Sequence, residues 1–331
     1  MSNDRAVFKS PRLRLDTDRL RVDFWEIYGI PIAFVVLFII FSLLHDNFLT
    51  FDNIMNILRA TSIIAIVAIG TTILMISGNV DISMASTMAV SGVVTVGLIV
   101  DYNVNQVIAV VCGLAAGCLC GIINSLFVIF IRIPSFIATL ATMSIYRGFC
   151  FIYTKGYSIY GDQITDAYKF IGRGYLLKIP MPVITMILLF LGFIIIFKYT
   201  KLGLYTYAIG SNERVALLSG VNSKRVKIIL FILGGFTSAV GGIIMTSRLG
   251  SVQGGLASGM EFGIITAAVL GGVSLAGGKG VIWRTLLGAL LLGILNNAMV
   301  LLNISSFWQM VTSGGVLLFA LGLDSLKTRK E

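Results

Sequence analysis

From about residue 28 to about residue 323 the chain alternates long apolar runs with short polar or glycine-rich breaks. The runs fall near 28–44, 54–77, 82–100, 106–131, 134–154, 180–198, 228–247, 261–276, 283–302 and 306–323. Each is about 17 to 26 residues long, the length at which a helix crosses a hydrocarbon core about 30 Å thick. The pattern predicts an all-α polytopic membrane protein with about ten transmembrane helices. Three parts follow: an N-terminal segment over residues 1–27, a transmembrane domain over 28–323 and a tail over 324–331.

Orientation comes from the charges between the runs. An even number of crossings puts both termini on one side. The N-terminal flank carries Arg12, Arg14, Arg19 and Arg21, and the tail carries Lys327, Arg329 and Lys330. Positive charge is retained in the cytoplasm, so both termini are expected there. The same parity puts residues 198–227, with Lys201, Arg214, Lys224 and Arg225, inside. Residues 154–179 fall outside although they carry Lys155, Lys169, Arg173 and Lys178. No small-residue cleavage site follows the run from Ile27 to Leu44, which reads as an uncleaved first span.

Composition agrees with this picture and removes several function classes. Of 331 residues, 57% are hydrophobic and 12% charged, which excludes an ordinary soluble domain. The net charge of +10 would suit nucleic acid if it formed a patch, but Lys and Arg gather at the chain ends and between spans, so no nucleic-acid partner is expected. Cys112, Cys118, Cys120 and Cys150 lie in apolar runs without metal-ligand spacing, and His45 is the one histidine. The run Gly271-Gly-Val-Ser-Leu-Ala-Gly-Gly-Lys-Gly280 fails as a phosphate loop. Val273 stands where the first Gly is required, and Gly280 follows Lys279 in place of Ser or Thr. A tight turn is the better reading, and neither an enzyme nor a resident cofactor is expected. Gly113, Gly117 and Gly121 recur at four-residue spacing, which lets a second helix approach closely in lipid.

The costliest feature is Ser77-Gly-Asn-Val-Asp-Ile-Ser83, which interrupts an apolar stretch. A carboxylate at membrane depth costs about 2.5 to 3.5 kcal/mol, so Asp81 should face protein or water. Asn79, Asp81 and Ser83 therefore become candidates for the pathway or its gate, although a short turn with Asp81 capping the next helix fits the same residues. Asn124, Thr139 and Asn296 are further pathway candidates, because a polar solute with hydroxyl groups would pair with amides and hydroxyls. In-span amides also hold helices together without touching a substrate. Arg147 is read as snorkelling to the outer surface. The loop from Leu202 to Gly220 is amphipathic, as a segment that docks on a partner or on the bilayer surface would be.

An internal repeat is visible. Gly121-Ile-Ile-Asn124 followed by Ile133-Pro-Ser-Phe136 resembles Gly293-Ile-Leu-Asn296 followed by Ile304-Ser-Ser-Phe307. A weaker match sets Ser77–Ser83 beside Gly271–Leu275. Spans 2–5 would then pair with spans 7–10, and copies offset by an odd number of crossings have inverted topology.

Five ordered segments carry a family resemblance: Phe51-Asp-Asn-Ile-Met-Asn-Ile-Leu-Arg59, Gly78-Asn-Val-Asp-Ile-Ser83, Ile133-Pro-Ser-Phe-Ile-Ala-Thr-Leu-Ala-Thr142, Tyr207-Ala-Ile-Gly-Ser-Asn-Glu213 and Val269-Leu-Gly-Gly-Val-Ser-Leu-Ala-Gly-Gly278. Over about residues 46 to 325 the chain resembles the ribose/galactose/autoinducer-type ABC importer permease family. Where that family reads Gly-Gly-Ile-Asp-Leu-Ser-Val-Gly, residues 78–85 keep the Asp and Ser but carry Asn79 and Ala85 in place of Gly. The resemblance implies a vitamin-B12-importer-like (type II) fold in the bacterial inner membrane. It also implies a second permease copy or paralogue, cytoplasmic ATPase subunits that bind ATP and Mg, and a periplasmic sugar-binding protein. By the same resemblance Glu213, Ala216, Leu217 and Gly220 belong to the loop that meets the ATPases. The rival is an ion-coupled secondary sugar transporter, which would also have an inverted repeat and a carboxylate at a helix break. Asp81 is its one strong candidate for an ion ligand, and the basic loop would have no task.

Overall fold

A computed structural model describes residues 17–328. Its helices are α1 (Thr17–Leu44), α2 (Phe51–Ile76), α3 (Met84–Val100), α4 (Gln106–Ile129), α5 (Ser135–Thr154), α6 (Asp166–Arg173), α7 (Met181–Tyr199), α8 (Lys201–Ser211), α9 (Glu213–Leu218), α10 (Ser223–Leu249), α11 (Met260–Leu270), α12 (Ile282–Leu301) and α13 (Ser306–Thr328). Between α6 and α7 a hairpin pairs β1 (Tyr175–Leu176) with β2 (Ile179–Pro180). Six helices, α2, α4, α5, α7, α10 and α12, are long and apolar enough to cross a membrane. Shorter apolar stretches lie at Gly29–Leu44, Met84–Val100, Met260–Leu270 and Phe307–Phe319. Together these coincide with the apolar runs of the sequence.

The differences lie at the ends. Within the described residues helix α1 already runs from Thr17, upstream of the apolar run, because hydropathy marks only the part of a helix that suits lipid. Of the basic flank, Arg12 and Arg14 lie outside the described residues, as do Arg329 and Lys330 of the tail. Helix α11 stops at Leu270 although the apolar run continues to residue 276. Gly272 takes φ +81° there, and the amides of Gly272 and Val273 bond back to Val269 O and Ala268 O at 2.8 and 3.2 Å. That is a Schellman stop, which glycine permits and a hydropathy profile does not register. The polar stretches read as loops contain α6, α8 and α9.

Helices α2, α3 and α10 form the centre. Helix α10 packs on α2, α3 and α4, and α2 also packs on α12, α11 and α7. From Ala65 to Ile76 every residue of α2 is buried, so its apolar side chains face protein on all sides. The outward faces of α4, α5 and α7 are apolar, with Val107, Val111, Leu119, Phe149, Ile152, Leu188 and Ile195 exposed, which is the solvent preference of lipid. Small residues set the close approaches. A Cβ on Gly117 or Gly121 would strike the α10 backbone at Gly235 or Phe231, and one on Gly113 would strike Ser91 and Thr95 of α3. The glycine face of α4 is therefore shared between α10 and α3, and dispersion does the work that the hydrophobic effect cannot do in lipid.

Candidate functional site

The break between α2 and α3 is built by its own sequence. Helix α2 ends in a Schellman turn: Gly78 takes φ +77°, its amide bonds Met75 O at 2.9 Å, and the Asn79 amide bonds Leu74 O at 3.0 Å. The chain from Asn79 to Ser83 then runs non-helical through the protein interior, with Asn79, Asp81 and Ser83 all buried. Non-helical backbone at such depth needs partners for its amides, and the first two turns of α5 supply them. Ser135 Oγ accepts from Val80 N at 3.0 Å, and Thr139 Oγ1 accepts from Ile82 N at 3.1 Å.

Asp81 is held from three directions. Its Oδ1 accepts from Ser83 N at 2.7 Å and from Ser83 Oγ at 2.6 Å, while its Oδ2 accepts from Asn124 Nδ2 at 3.1 Å. The amide of Asn124 also donates to Ser83 Oγ at 2.8 Å, and its Oδ1 accepts from Tyr146 Oη at 3.1 Å. Asp81, Ser83, Asn124 and Tyr146 thus form one buried network joining the break to α4 and α5, and Thr139 borders it. The turn-and-cap alternative is realised only in part. Asp81 does bond the amide of Ser83, the residue at the head of α3, yet the turn is buried and its carboxylate is tied to a second helix.

The remaining candidates lie elsewhere. Asn79 turns back on its own strand of chain, with Nδ2 donating to Ser77 Oγ at 3.0 Å. Asn296 is half-buried on α12 and joins no part of the network. Its neighbour Asn297 makes the reciprocal contact instead, donating to Asn53 Oδ1 at 2.9 Å and accepting from Asn53 Nδ2 at 3.1 Å. Sequence reading missed Ser135 and Tyr146. Ser135, Thr139, Thr142 and Tyr146 recur at helical spacing and make a polar stripe on an apolar helix, which was the available signal. Arg147 does not snorkel free. It is half-buried, and its Nη1 donates to Gly254 O at 3.2 Å and to Leu256 O.

At the same end of the bundle as the break, α8 and α9 form an L whose corner is Asn212. That side chain caps α9 by accepting from Val215 N at 3.1 Å. Ala216 is buried, so it anchors α9 and presents nothing outward. Glu213 is paired with Lys227 of α10 at 2.8 Å, an intramolecular brace. The outward surface is Val215, Leu217 and Leu218, the last 85% exposed, followed by exposed Gly220 at φ +83°. These are the apolar residues that make the Leu202–Gly220 loop amphipathic in sequence.

Three backbone segments meet behind α8 with no side chain between them. A Cβ on Gly210 would collide with Ile76 O and Gly278 N, and one on Gly277 would lie 2.9 Å from Gly78 Cα. The Gly278 amide donates to Ile76 O at 2.8 Å. The Tyr207 hydroxyl donates to Gly280 O at 2.7 Å, and burial pushes its pKa up, so that it stays a neutral donor. The α8 segment therefore touches the head of the break directly. Gly271–Leu275 lies beside the same point, Val273 sharing a buried apolar cluster with Met75 and Ile76.

Comparison with known proteins agrees with this architecture. Residues 53–321 match the family described as branched-chain amino acid transport system / permease component, and the chain belongs to that family of membrane permeases. It is 41% identical to the ribose import permease protein RbsC of Bacillus subtilis, over 95% of this chain and 98% of that one. It is equally 41% identical to the ribose import permease protein RbsC of Escherichia coli K12, over 89% and 92% of the two chains. The L-arabinose transport system permease protein AraH of Escherichia coli K12 is 38% identical over 93% of each. No solved structure matches.

Proposed function

We propose that this chain is the membrane-spanning subunit of an ATP-driven importer that carries a ribose-like pentose or related monosaccharide into the bacterial cytoplasm. The supporting observation is the backbone contact of Gly210, near the end of α8, with Ile76 at the head of the Ser77–Ser83 break. A push on Leu217 and Leu218 has no soft side chain in which to dissipate before it reaches Ile76 and Gly78, as a subunit driven from outside the membrane requires. The names of the relatives, ribose and arabinose permeases, supply the substrate class.

In this reading the ten apolar helices cross the inner membrane ten times, with both termini and the α8–α9 surface in the cytoplasm. Helices α2–α5 and α10–α13 are inverted repeats of a type II importer fold. Reciprocal packing supports the pairing: α4 lies on α10 as α12 lies on α2, and α3 packs on α4 and α5 as α11 packs on α12 and α13. The partners are a second permease copy or paralogue, two ATPase subunits that bind ATP and Mg, and a periplasmic sugar-binding protein. This chain catalyses nothing. The ion-coupled alternative has less support, because both oxygens of Asp81 already accept from Ser83 and Asn124 and offer a coupling ion no ready site.

Co-expression with the candidate ATPase tests the reading. Leu218→Asp should abolish co-purification of the ATPase while the chain still reaches the membrane. Undiminished co-purification would remove α9 from the contact.

A further inference from the structure

Two non-helical segments interrupt the bundle, 77–83 at one end and 250–259 at the other, and α5 is bonded to both. Near its start, Ser135 and Thr139 cap the amides of Val80 and Ile82. Near its end, Arg147 donates to the carbonyls of Gly254 and Leu256, and the Phe151 ring lies where a Cβ on Gly254 would be. The rest of the 250–259 segment is held by its bridge between Val252 and Ile159 and by the buried side chains of Val252, Leu256 and Ala257. No Gly or Pro lies between Ser135 and Arg147, so a stiff helix about 18 Å long separates the two sets of bonds. Helix α5 packs on α3 and less extensively on α4, and its opposite face, with Phe136, Ile137, Leu140, Ile145 and Phe149, is exposed. A guanidinium held half-buried in a span is costly, and what it obtains here is a grip on an irregular segment.

We propose that Arg147 is a positioning residue: its hold on segment 250–259 is linked, through α5 moving as one body, to the capping of the 77–83 break. Releasing either end tilts the helix and loosens the other. In the transport cycle this makes the two ends of the pathway sense each other without a direct contact.

The chain carries its own reporters. Cys150 is 1% exposed, one turn beyond Arg147, and Cys120 is 5% exposed, with its carbonyl accepting from Tyr146 at 3.0 Å beside the break network. A thiol reacts with a water-borne methanethiosulfonate only when water reaches it as a thiolate. In full-length chains in membrane vesicles that retain Cys120 alone or Cys150 alone, or carry Val80→Cys as the one thiol, Arg147→Gln should speed modification of the introduced thiol, at the far end, and of Cys120, beside Tyr146, by about tenfold. Thr139→Val should likewise speed modification of Cys150. If Arg147→Gln fails to insert, Phe151→Ala loosens the same end and should do the same. Acceleration of Cys150 alone by Arg147→Gln would make Arg147 a local clamp and overturn the proposal. So would an equal acceleration of Cys120 by Asn297→Leu, which loosens α12 without touching α5.

Discussion

Replacing Asp81 tests the buried network where its bonds are most unequal. Asp81→Ala removes the acceptor of three hydrogen bonds and leaves the Ser83 amide buried without a partner, while Asn124 Nδ2 keeps Ser83 Oγ at 2.8 Å. One orphaned buried donor costs about 1–3 kcal/mol, and with two further bonds lost Asp81→Ala should fall at the top of that range, about 3 kcal/mol. Asp81→Asn behaves differently. Its Oδ1 can still accept both donors of Ser83, and only the contact with Asn124 turns from donor–acceptor to donor–donor. Rotation of the Asn124 amide relieves that at the expense of its bond to Ser83 Oγ, because the Tyr146 hydroxyl it bonds can accept as well as donate. A loss of about 1–2 kcal/mol follows. Thermal unfolding of the detergent-solubilised chain should rank wild type above Asp81→Asn and Asp81→Asn above Asp81→Ala, with sugar uptake falling in the same order. Equal stability of all three would refute the network as a structural unit. Equal stability with lost uptake in both variants would assign the carboxylate to the pathway alone.

Other expectations follow from particular contacts. Gly210→Ala should abolish uptake, because its Cβ collides with Ile76 O, whereas Gly148→Ala on α5, with open space around it, should leave uptake near wild type. Asn53→Leu or Asn297→Leu alone leaves a half-buried amide unpaired and should lower stability by about 1–3 kcal/mol, while the double variant should recover part of the loss in a double-mutant cycle. Ala216→Asp should destabilise the chain itself, since Ala216 is buried, whereas Leu218→Asp on the exposed face of the same helix should leave unfolding unchanged.

Much of this organisation was legible in the residues. Apolar run length located the helices that suit lipid, and the polar interruption at Ser77–Ser83 marked the break, because a carboxylate at that depth has to be held by something. Three of the pathway candidates, Asp81, Ser83 and Asn124, do meet. The misses have physical causes. Asn296 and Asn297 are adjacent and chemically identical, so only helix phase against α2 decides which one pairs with Asn53. Ala216 and Leu218 both belong to an amphipathic turn, and a helix of six residues is too short for periodicity to tell inside from outside. Arg147 was misjudged because its partners are carbonyls of Gly254 and Leu256 more than a hundred positions away, and backbone acceptors leave no trace in side-chain identity. The glycines at 277 and 278 announced a tight turn, and that their segment abuts Gly78 and the helical Gly210 is a tertiary fact.

The central claim is that transport through this chain is driven by ATP hydrolysed on a partner subunit. The most direct measurement is uptake of labelled ribose into proteoliposomes containing the chain, its candidate ATPase and its candidate binding protein, with and without ATP, in the presence of an ionophore that collapses ion gradients. Uptake should require ATP and be unaffected by the ionophore. Uptake by this chain alone that vanishes with the gradient would contradict the claim and establish an ion-coupled carrier instead.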